Sequence, residues 1–182
     1  FNLYKRTIEG EKNVFEKYHL EALKKGNVVG GIWVVYSDSD FDVQYAYDVA
    51  LTCFSPYQNQ YDVLYGLEGL RNVHTIEELD QLYQKGVRHA SLTWNEANDF
   101  ATGVKADPTR GLQPLGKKAI QYMNEHHMVI DVSHLNVKSF YEVLEENPKI
   151  LLASHSNAYT ISDHIRNLTD DQLIKLRQSN GY

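Results

Sequence analysis

Two histidines and one glutamate stand where short apolar segments of the chain give way to polar residues. Glu68 follows the segment YDVLYGL, His134 follows MVIDVS and His155 follows ILLAS. Neutral imidazole and carboxylate are common protein ligands of zinc in hydrolases. A zinc ion would acidify a bound water and polarise a scissile carbonyl group. A histidine after a strand is also commonly a cap or a surface residue, so the pattern alone leaves both interpretations open.

The other histidines are weaker candidates for a chemical role. His126 and His127 fall at the end of a predicted helix, where a positive charge is favoured, and we expect both to be structural. His89 lies inside a predicted strand and is expected to face the covering helices. Polar, exposed surroundings are expected for the remaining three, which are His19, His74 and His164.

The segments that must position these residues alternate between apolar runs and amphipathic stretches. Runs of β-branched and aromatic residues predict strands at 27–36, 61–69, 87–93, 128–132 and 150–153. Amphipathic stretches predict helices at 41–54, 75–86, 112–127, 137–146 and 169–179. Thr75 and Glu78 have the spacing of a capping box at the start of the second helix. The polar segment 95–110 is predicted to be a long loop, and loops of that length are often functional.

Strands that alternate with helices indicate a parallel α/β sheet, either an open doubly wound sheet or a (β/α)8 barrel. The glycine pair Gly30-Gly31 lies inside a predicted strand rather than between a strand and a helix, which weakens a nucleotide-binding interpretation. In a parallel barrel the active site gathers at the carboxyl ends of the strands. Glu68, His134 and His155 would then reach one face of the barrel from three different strands.

Composition limits the classes of partner. The 182 residues suffice for one domain, which we expect to span 1–182, and their formal net charge is −6. Because no basic cluster occurs, nucleic acid is not expected as a partner. Cys53 is the only cysteine, which excludes an intrachain disulfide and a cysteine-rich zinc site. No apolar run approaches the roughly 20 residues of a membrane span, and no signal peptide is recognisable. We therefore expect a cytoplasmic bacterial protein, for which a homodimer is one candidate assembly.

Six segments, taken in order, resemble the membrane (renal) dipeptidase family, a branch of the metal-dependent amidohydrolases. They are GLEG (66–69), RHASLTWNEAN (88–98), GLQPLGKKAIQYMNE (111–125), VIDVSH (129–134), SHSNAY (154–159) and RNLTDDQL (166–173). The resemblance covers nearly the whole chain apart from its first third. GLEG alone carries no information, but the ordered set is specific.

The resemblance implies a (β/α)8 barrel with two zinc ions that hydrolyses dipeptides by a hydroxide held between the metals. Glu68 would bridge the two zinc ions, and His134 and His155 would bind the second one. Arg166 would contact the substrate carboxylate, a task that suits the fork of a guanidinium group. Trp94 and Asn157 are further substrate-binding candidates. Asp131 would support the ligands from behind, although it could equally face a helix N-terminus.

Three departures from the family pattern affect this expectation. The H-x-D pair that opens the family's first strand and supplies its first zinc does not occur here, and neither does the aspartate of the last strand. Trp94 stands where better-known members carry a histidine that stabilises the tetrahedral intermediate. We therefore expect about five or six of the eight βα units, the ligands mainly of one zinc ion, and a piece of a longer polypeptide. The alternatives are a related metal hydrolase acting on lactones or phosphoesters, and an inactive, metal-free part of the barrel.

Overall fold

The β-branched and aromatic runs form five parallel strands in the computed structural model, which describes residues 3–182. The strands are β1 (Gly30–Tyr36), β2 (Asp62–Glu68), β3 (Val87–Ser91), β4 (Val129–Asp131) and β5 (Leu151–Leu152). Each lies inside one of the predicted strand segments. The predicted segments are too long by one to three residues at one or both ends, since strand ends have no sequence signal as strong as a helix cap.

The strands follow one another across the sheet in the order β1-β2-β3-β4-β5, and every neighbouring pair is parallel. An open doubly wound sheet reverses its strand order at a switch point. Sequential order is typical of the wall of a (β/α)8 barrel, in which a helix follows each strand on the outside. The described residues therefore contain five consecutive strands of a barrel wall, and the doubly wound alternative is wrong.

Seven α-helices accompany these strands in residues 3–182. They are α1 (Leu3–Ile8), α2 (Glu21–Lys25), α3 (Val43–Phe54), α4 (Ile76–Gln84), α5 (Pro114–Glu125), α6 (Val137–Glu145) and α7 (Asp170–Gln178). A π-helical segment, Glu16–Leu20, leads into α2, and a 3₁₀ turn, Ser55–Tyr57, follows α3. Helices α3 to α7 confirm the five predicted helices to within two residues at each end. Helices α1 and α2 are not among the predicted ones, because helices this short contain too few residues for a clear periodicity.

Side-chain caps fix where four of the predicted helices begin. The capping residue accepts a hydrogen bond from the backbone N–H three positions later in each case, and the four are Asp42, Thr75, Asn136 and Thr169. The capping box predicted at Thr75 is only half formed, because Glu78 Oε2 accepts from the backbone N–H of His74 instead of Thr75. Thr169 and Gln172 form the complete box at the start of α7.

A smaller, separate cluster forms around Phe15, Phe54 and Tyr61, and the rest of the outer face of the sheet packs against the helices in one continuous core. Leu67, Ala90 and Ile130 are fully buried there and share this core with Ile120 of α5 and Phe140 of α6. Burial of each large apolar side chain contributes about 1.5–3 kcal/mol. None of the helices within residues 3–182 is long and apolar enough to cross a membrane.

The inner face of the sheet carries polar residues in register. Gly66 of β2 aligns with His89 of β3, and Glu68 aligns with Ser91, which in turn aligns with Asp131 of β4. His89 is only 3% exposed. The prediction that His89 faces the helices is wrong, because side chains alternate along a strand and its neighbour Ala90 occupies the helix side.

Candidate metal centre

The three candidate metal ligands meet at the carboxyl edge of the sheet. Glu68 is the last residue of β2, His134 lies three residues beyond the end of β4, and His155 lies three residues beyond the end of β5. His134 Nε2 lies 3.0 Å from Glu68 Oε1 and 2.7 Å from His155 Nε2. His155 Nε2 is 3.5 Å from Glu68 Oε1. These residues converge, as predicted, because each of them lies at or just beyond the carboxyl end of a strand.

The donor set fits a metal ion. Two imidazole nitrogens and a carboxylate oxygen all lie within 4.8 Å of one another, in the group formed by Glu68, His134 and His155. Two histidines and one glutamate, with a fourth position open, form a known set of catalytic zinc ligands. Contact with His134 lowers the pKa of Glu68, so this carboxylate is ionised at neutral pH. The site can therefore offer three lone pairs to one cation.

A buried hydrogen bond orients the first histidine. Asn95 Oδ1 lies 3.1 Å from His134 Nδ1 and accepts a hydrogen bond from Nδ1–H, which leaves the Nε2 lone pair free for a metal. Asn95 is 8% exposed and His134 is 5% exposed. Asn95 has no predicted role, since an asparagine at a strand end is an ordinary loop residue and only its position opposite His134 identifies it.

The loop 95–110 holds this arrangement in place. His134 has a φ of +77°, a region that a non-glycine residue seldom adopts, and its carbonyl accepts a 2.9 Å hydrogen bond from the backbone N–H of Val104. Gly103 brings the loop back against the strand end, because a Cβ there would lie 2.3 Å from the carbonyl oxygen of Trp94. The predicted functional loop therefore supports a ligand rather than supplying one.

The second histidine is more open to solvent. The side chain of His155 is 46% exposed. Partial burial, the charge of His134 and the charge of Arg166 lower the pKa of His155, which favours the neutral imidazole that a metal requires. The Nδ1 atom of His155 lies 2.7 Å from Ser154 Oγ.

Asp131 lies behind this second histidine, on the inner face of the sheet. It accepts hydrogen bonds from His89 Nε2 at 3.0 Å, from the backbone N–H groups of Ser133 and Ser154, and from the hydroxyl of Ser154. Burial alone would raise the pKa of Asp131, but these hydrogen bonds outweigh it and lower the pKa well below the ordinary range. Asp131 thus contacts the segment that carries His155, and it does not face a helix N-terminus.

The predicted substrate-binding arginine lies near the metal cluster. Arg166 is half-buried, and its positive charge helps to lower the pKa of both Glu68 and His155. Its Nη1 atom is buried and has no hydrogen-bond partner within residues 3–182. Burial lowers the pKa of Arg166 itself. A buried guanidinium nitrogen without an acceptor is a site for an anionic group of a ligand.

The structure separates the two other substrate-binding candidates. The Trp94 ring lies 6.1 Å from the ring of His134 and packs edge-on against Tyr36, with 5.3 Å between centroids, so it forms a wall beside the cluster. Asn157 is exposed. Its backbone N–H donates to the Asn167 side chain and its carbonyl accepts from the backbone N–H of Leu168, so Asn157 is bonded to the segment that carries Arg166. The structure places Trp94 next to His134, a candidate metal ligand, while the substrate role of Asn157 stays a prediction.

Comparison with known sequences identifies relatives of one kind. Residues 37–182 match the model of a family described as membrane dipeptidase, peptidase family M19. An uncharacterised dipeptidase of Schizosaccharomyces pombe is 38% identical over 121 residues, which cover 64% of this chain and 29% of that protein. An uncharacterised Klebsiella pneumoniae protein, described by its position in the pqqA 5′ region, is 39% identical over 110 residues, which cover 57% of this chain and 41% of that protein. The chain therefore spans less than half the length of these curated relatives.

Comparison with solved structures confirms the barrel fold. A metallopeptidase from Rhodobacter sphaeroides, solved with a phosphinate mimic of the dipeptide L-Ala-D-Ala, has a TM-score of 0.74 at 23% identity and covers 89% of this chain and 62% of that one. An amidohydrolase from Pseudomonas aeruginosa has a TM-score of 0.73 at 22% identity, with coverage of 91% and 57%. At these identities the likeness concerns the fold.

Proposed function

This chain belongs to the membrane dipeptidase family, peptidase family M19, and from that premise we propose that the complete protein is a zinc-dependent dipeptidase. One observation carries the proposal. Three metal-ligand atoms, from Glu68, His134 and His155, converge beside a buried guanidinium nitrogen of Arg166 that has no partner within residues 3–182. A metal centre next to an anion-binding group suits a short peptide, whose scissile bond and terminal carboxylate are close together.

Glu68, His134 and His155 are the residues that would hold a zinc ion here. When bound, zinc supplies a Lewis acid for the scissile carbonyl and lowers the pKa of a coordinated water. Because Asn95 accepts a hydrogen bond from His134 Nδ1–H, the ring proton is on Nδ1 and the Nε2 lone pair is available to a metal. A second zinc ion, which Glu68 would also help to hold, belongs to the proposal through the family resemblance and concerns the complete protein.

Arg166 would fix the substrate by its C-terminal carboxylate. A guanidinium group binds a carboxylate through two parallel hydrogen bonds, which sets the orientation as well as the position of the peptide. Trp94 would close the side of the site next to His134 and reduce the access of water to it. This arrangement disfavours a lactone or phosphotriester substrate, because neither carries a carboxylate for Arg166.

The decisive experiment measures metal and activity together. Full-length protein is expected to contain zinc by elemental analysis, to hydrolyse dipeptides from a panel, and to lose this activity on removal of zinc by a chelator. Activity should return when zinc is added back. Activity that survives complete removal of metal would exclude the zinc mechanism, and a protein that binds no metal would support the inactive alternative.

Two expectations from the sequence remain predictions about the complete protein. A cytoplasmic location can be checked by cell fractionation. A homodimer can be checked by light scattering coupled to size-exclusion chromatography, where a monomer would exclude it.

A further inference from the structure

We propose that His89, Asp131 and Ser154 form a hydrogen-bonded relay that positions His155 for metal binding. The relay starts inside the barrel, where His89 Nε2 contacts Asp131 Oδ2 at 3.0 Å. Ser154 Oγ donates to the same Oδ2 atom, and His155 Nδ1 lies 2.7 Å from Ser154 Oγ. The inference rests on the proposed metal site and adds three positioning residues to it.

The relay assigns the proton on His155. A serine hydroxyl can donate one hydrogen bond, and the hydroxyl of Ser154 donates it to Asp131. Ser154 Oγ can then only accept from His155, so Nδ1 carries the ring proton and Nε2 carries the lone pair. Nε2 is the atom that lies 2.7 Å from His134 Nε2 in the cluster. The hydrogen-bond direction along the relay thus presents the metal-binding atom to the site.

His155 depends on this support more than its partner does. His134 is buried and held by Asn95, whereas the side chain of His155 is 46% exposed and follows a strand of only two residues. Asp131 also restrains the backbone beside His155, since its Oδ1 accepts from the N–H of Ser154 at 3.2 Å. The Asp131 carboxylate therefore restrains the backbone at Ser154 and, through the Ser154 hydroxyl, the ring orientation of His155.

The buried end of the relay accounts for one further residue, Gly66. His89 is 3% exposed, and burying an imidazole is unfavourable without a hydrogen-bond partner, which Asp131 supplies. Gly66 leaves the space for it, because a Cβ at position 66 would lie 2.4 Å from His89 Nδ1. With Ile32, Val34, Glu68 and His155, the relay lines a cavity of about 190 Å³ at the metal site.

The experiment compares Ser154→Ala with Ser154→Thr and with Ser156→Ala. Ser154 is exposed, so its alanine variant should fold, and thermal denaturation checks this. Ser156 is the matched control because its hydroxyl is buried and has no hydrogen-bond partner within residues 3–182. The probes are zinc affinity, measured by competition with a chromogenic chelator, and the visible absorption spectrum of the Co²⁺-substituted protein, which reports ligand geometry.

Ser154→Ala is expected to weaken zinc binding on the order of 10- to 100-fold and to change the Co²⁺ spectrum. Ser154→Thr, which keeps the hydroxyl, should have the zinc affinity and the Co²⁺ spectrum of the wild type. Ser156→Ala should change neither the zinc affinity nor the spectrum. Asp131→Asn should weaken zinc binding as well, and the double variant with Ser154→Ala should lose less than the product of the two single effects, as for residues of one network. His89→Leu should act in the same direction.

The outcomes separate the two proposals. Wild-type protein that binds no zinc would overturn both the proposed function and the relay. Wild-type protein that binds zinc, together with folded Ser154→Ala and Asp131→Asn variants of unchanged affinity and Co²⁺ spectrum, would overturn the relay alone. A Ser156→Ala variant as weak as Ser154→Ala would also overturn it, because the effect would then belong to the whole segment.

Discussion

Asn95 Oδ1 lies 3.1 Å from His134 Nδ1 and connects the loop after β3 to this candidate metal ligand, which follows β4. Both residues are buried, so if Asn95 were replaced by a residue without an acceptor, water could not take its place unless the neighbouring residues rearranged. The bond fixes the imidazole tautomer and aims Nε2 at Glu68. An outer acceptor of this kind matters nearly as much to a metal as the ligand it orients.

Asn95→Ala is expected to reduce zinc affinity on the order of 10- to 100-fold. Asn95→Asp, which keeps an acceptor at the same place, should bind zinc close to the wild-type level. Competition titration with a chelator measures both, and the exposed Asn59→Ala serves as a control. Equal affinity for Asn95→Ala and wild type would show that His134 needs no oriented tautomer.

Arg166→Met should impair dipeptide hydrolysis through the loss of carboxylate recognition. Breaking a buried charge pair costs about 2–5 kcal/mol, so kcat/KM should fall by a factor between about 30 and about 5,000. Dipeptides with an amidated C-terminus should already be poor substrates of the wild type and should lose little more in the variant. The exposed Arg177→Met at the end of α7 is the matched control.

The substrate pair distinguishes recognition from general damage to the fold. If Arg166→Met lowers the rates for free and amidated dipeptides by the same factor, Arg166 does not bind the carboxylate. Kinetic measurements on the complete protein with both substrates provide this ratio directly.

The positions of the candidate ligands could be predicted because topology determines them. A parallel barrel delivers the residues after its strands to one edge, so Glu68, His134 and His155 could be grouped without coordinates. The outer core was equally predictable, since Leu67 and Ile130 belong to apolar runs with strand character. Helix α7, which begins after the capping residue Thr169, was predicted to within one residue at each end.

Among the supporting residues only Asp131 was proposed, from the family resemblance and beside an alternative, because the roles of these residues depend on contacts between distant segments. His89 and Asp131 are 42 positions apart, and Asn95 and His134 are 39 positions apart. Its position inside a strand predicts that His89 faces the helices, although the register of β2 with β3 sets it beside Gly66 on the inner face. A strand that is buried on both faces gives no alternation from which its inward residues could be read.

Gly66→Ala tests the packing that this register produces. The added Cβ would lie 2.4 Å from His89 Nδ1, a distance at which the ring or the strand must move. Overpacking of a filled interior costs about 1–3 kcal/mol, so the free energy of unfolding should fall by that amount in denaturant titrations. Combining Gly66→Ala with His89→Ala should make the glycine substitution nearly neutral. If Gly66→Ala is equally destabilising in both backgrounds, the clash is not with His89.

The stability of the metal-free protein should depend on pH through His155. Partial burial and the charges of His134 and Arg166 lower the pKa of His155 in the folded state, whereas in the unfolded chain it is about 6.5. Between these two values the unfolded chain binds more protons, so folding stability declines as the pH falls from about 6.5 towards the folded-state pKa. His155→Asn removes this contribution and should lose less stability than the wild type between about pH 7.5 and pH 5.5. His127→Asn is the control, because His127 is exposed and its φ of +54° suits asparagine. Denaturant midpoints at the two pH values measure the difference, and an identical pH dependence for His155→Asn and wild type would exclude His155 as its source.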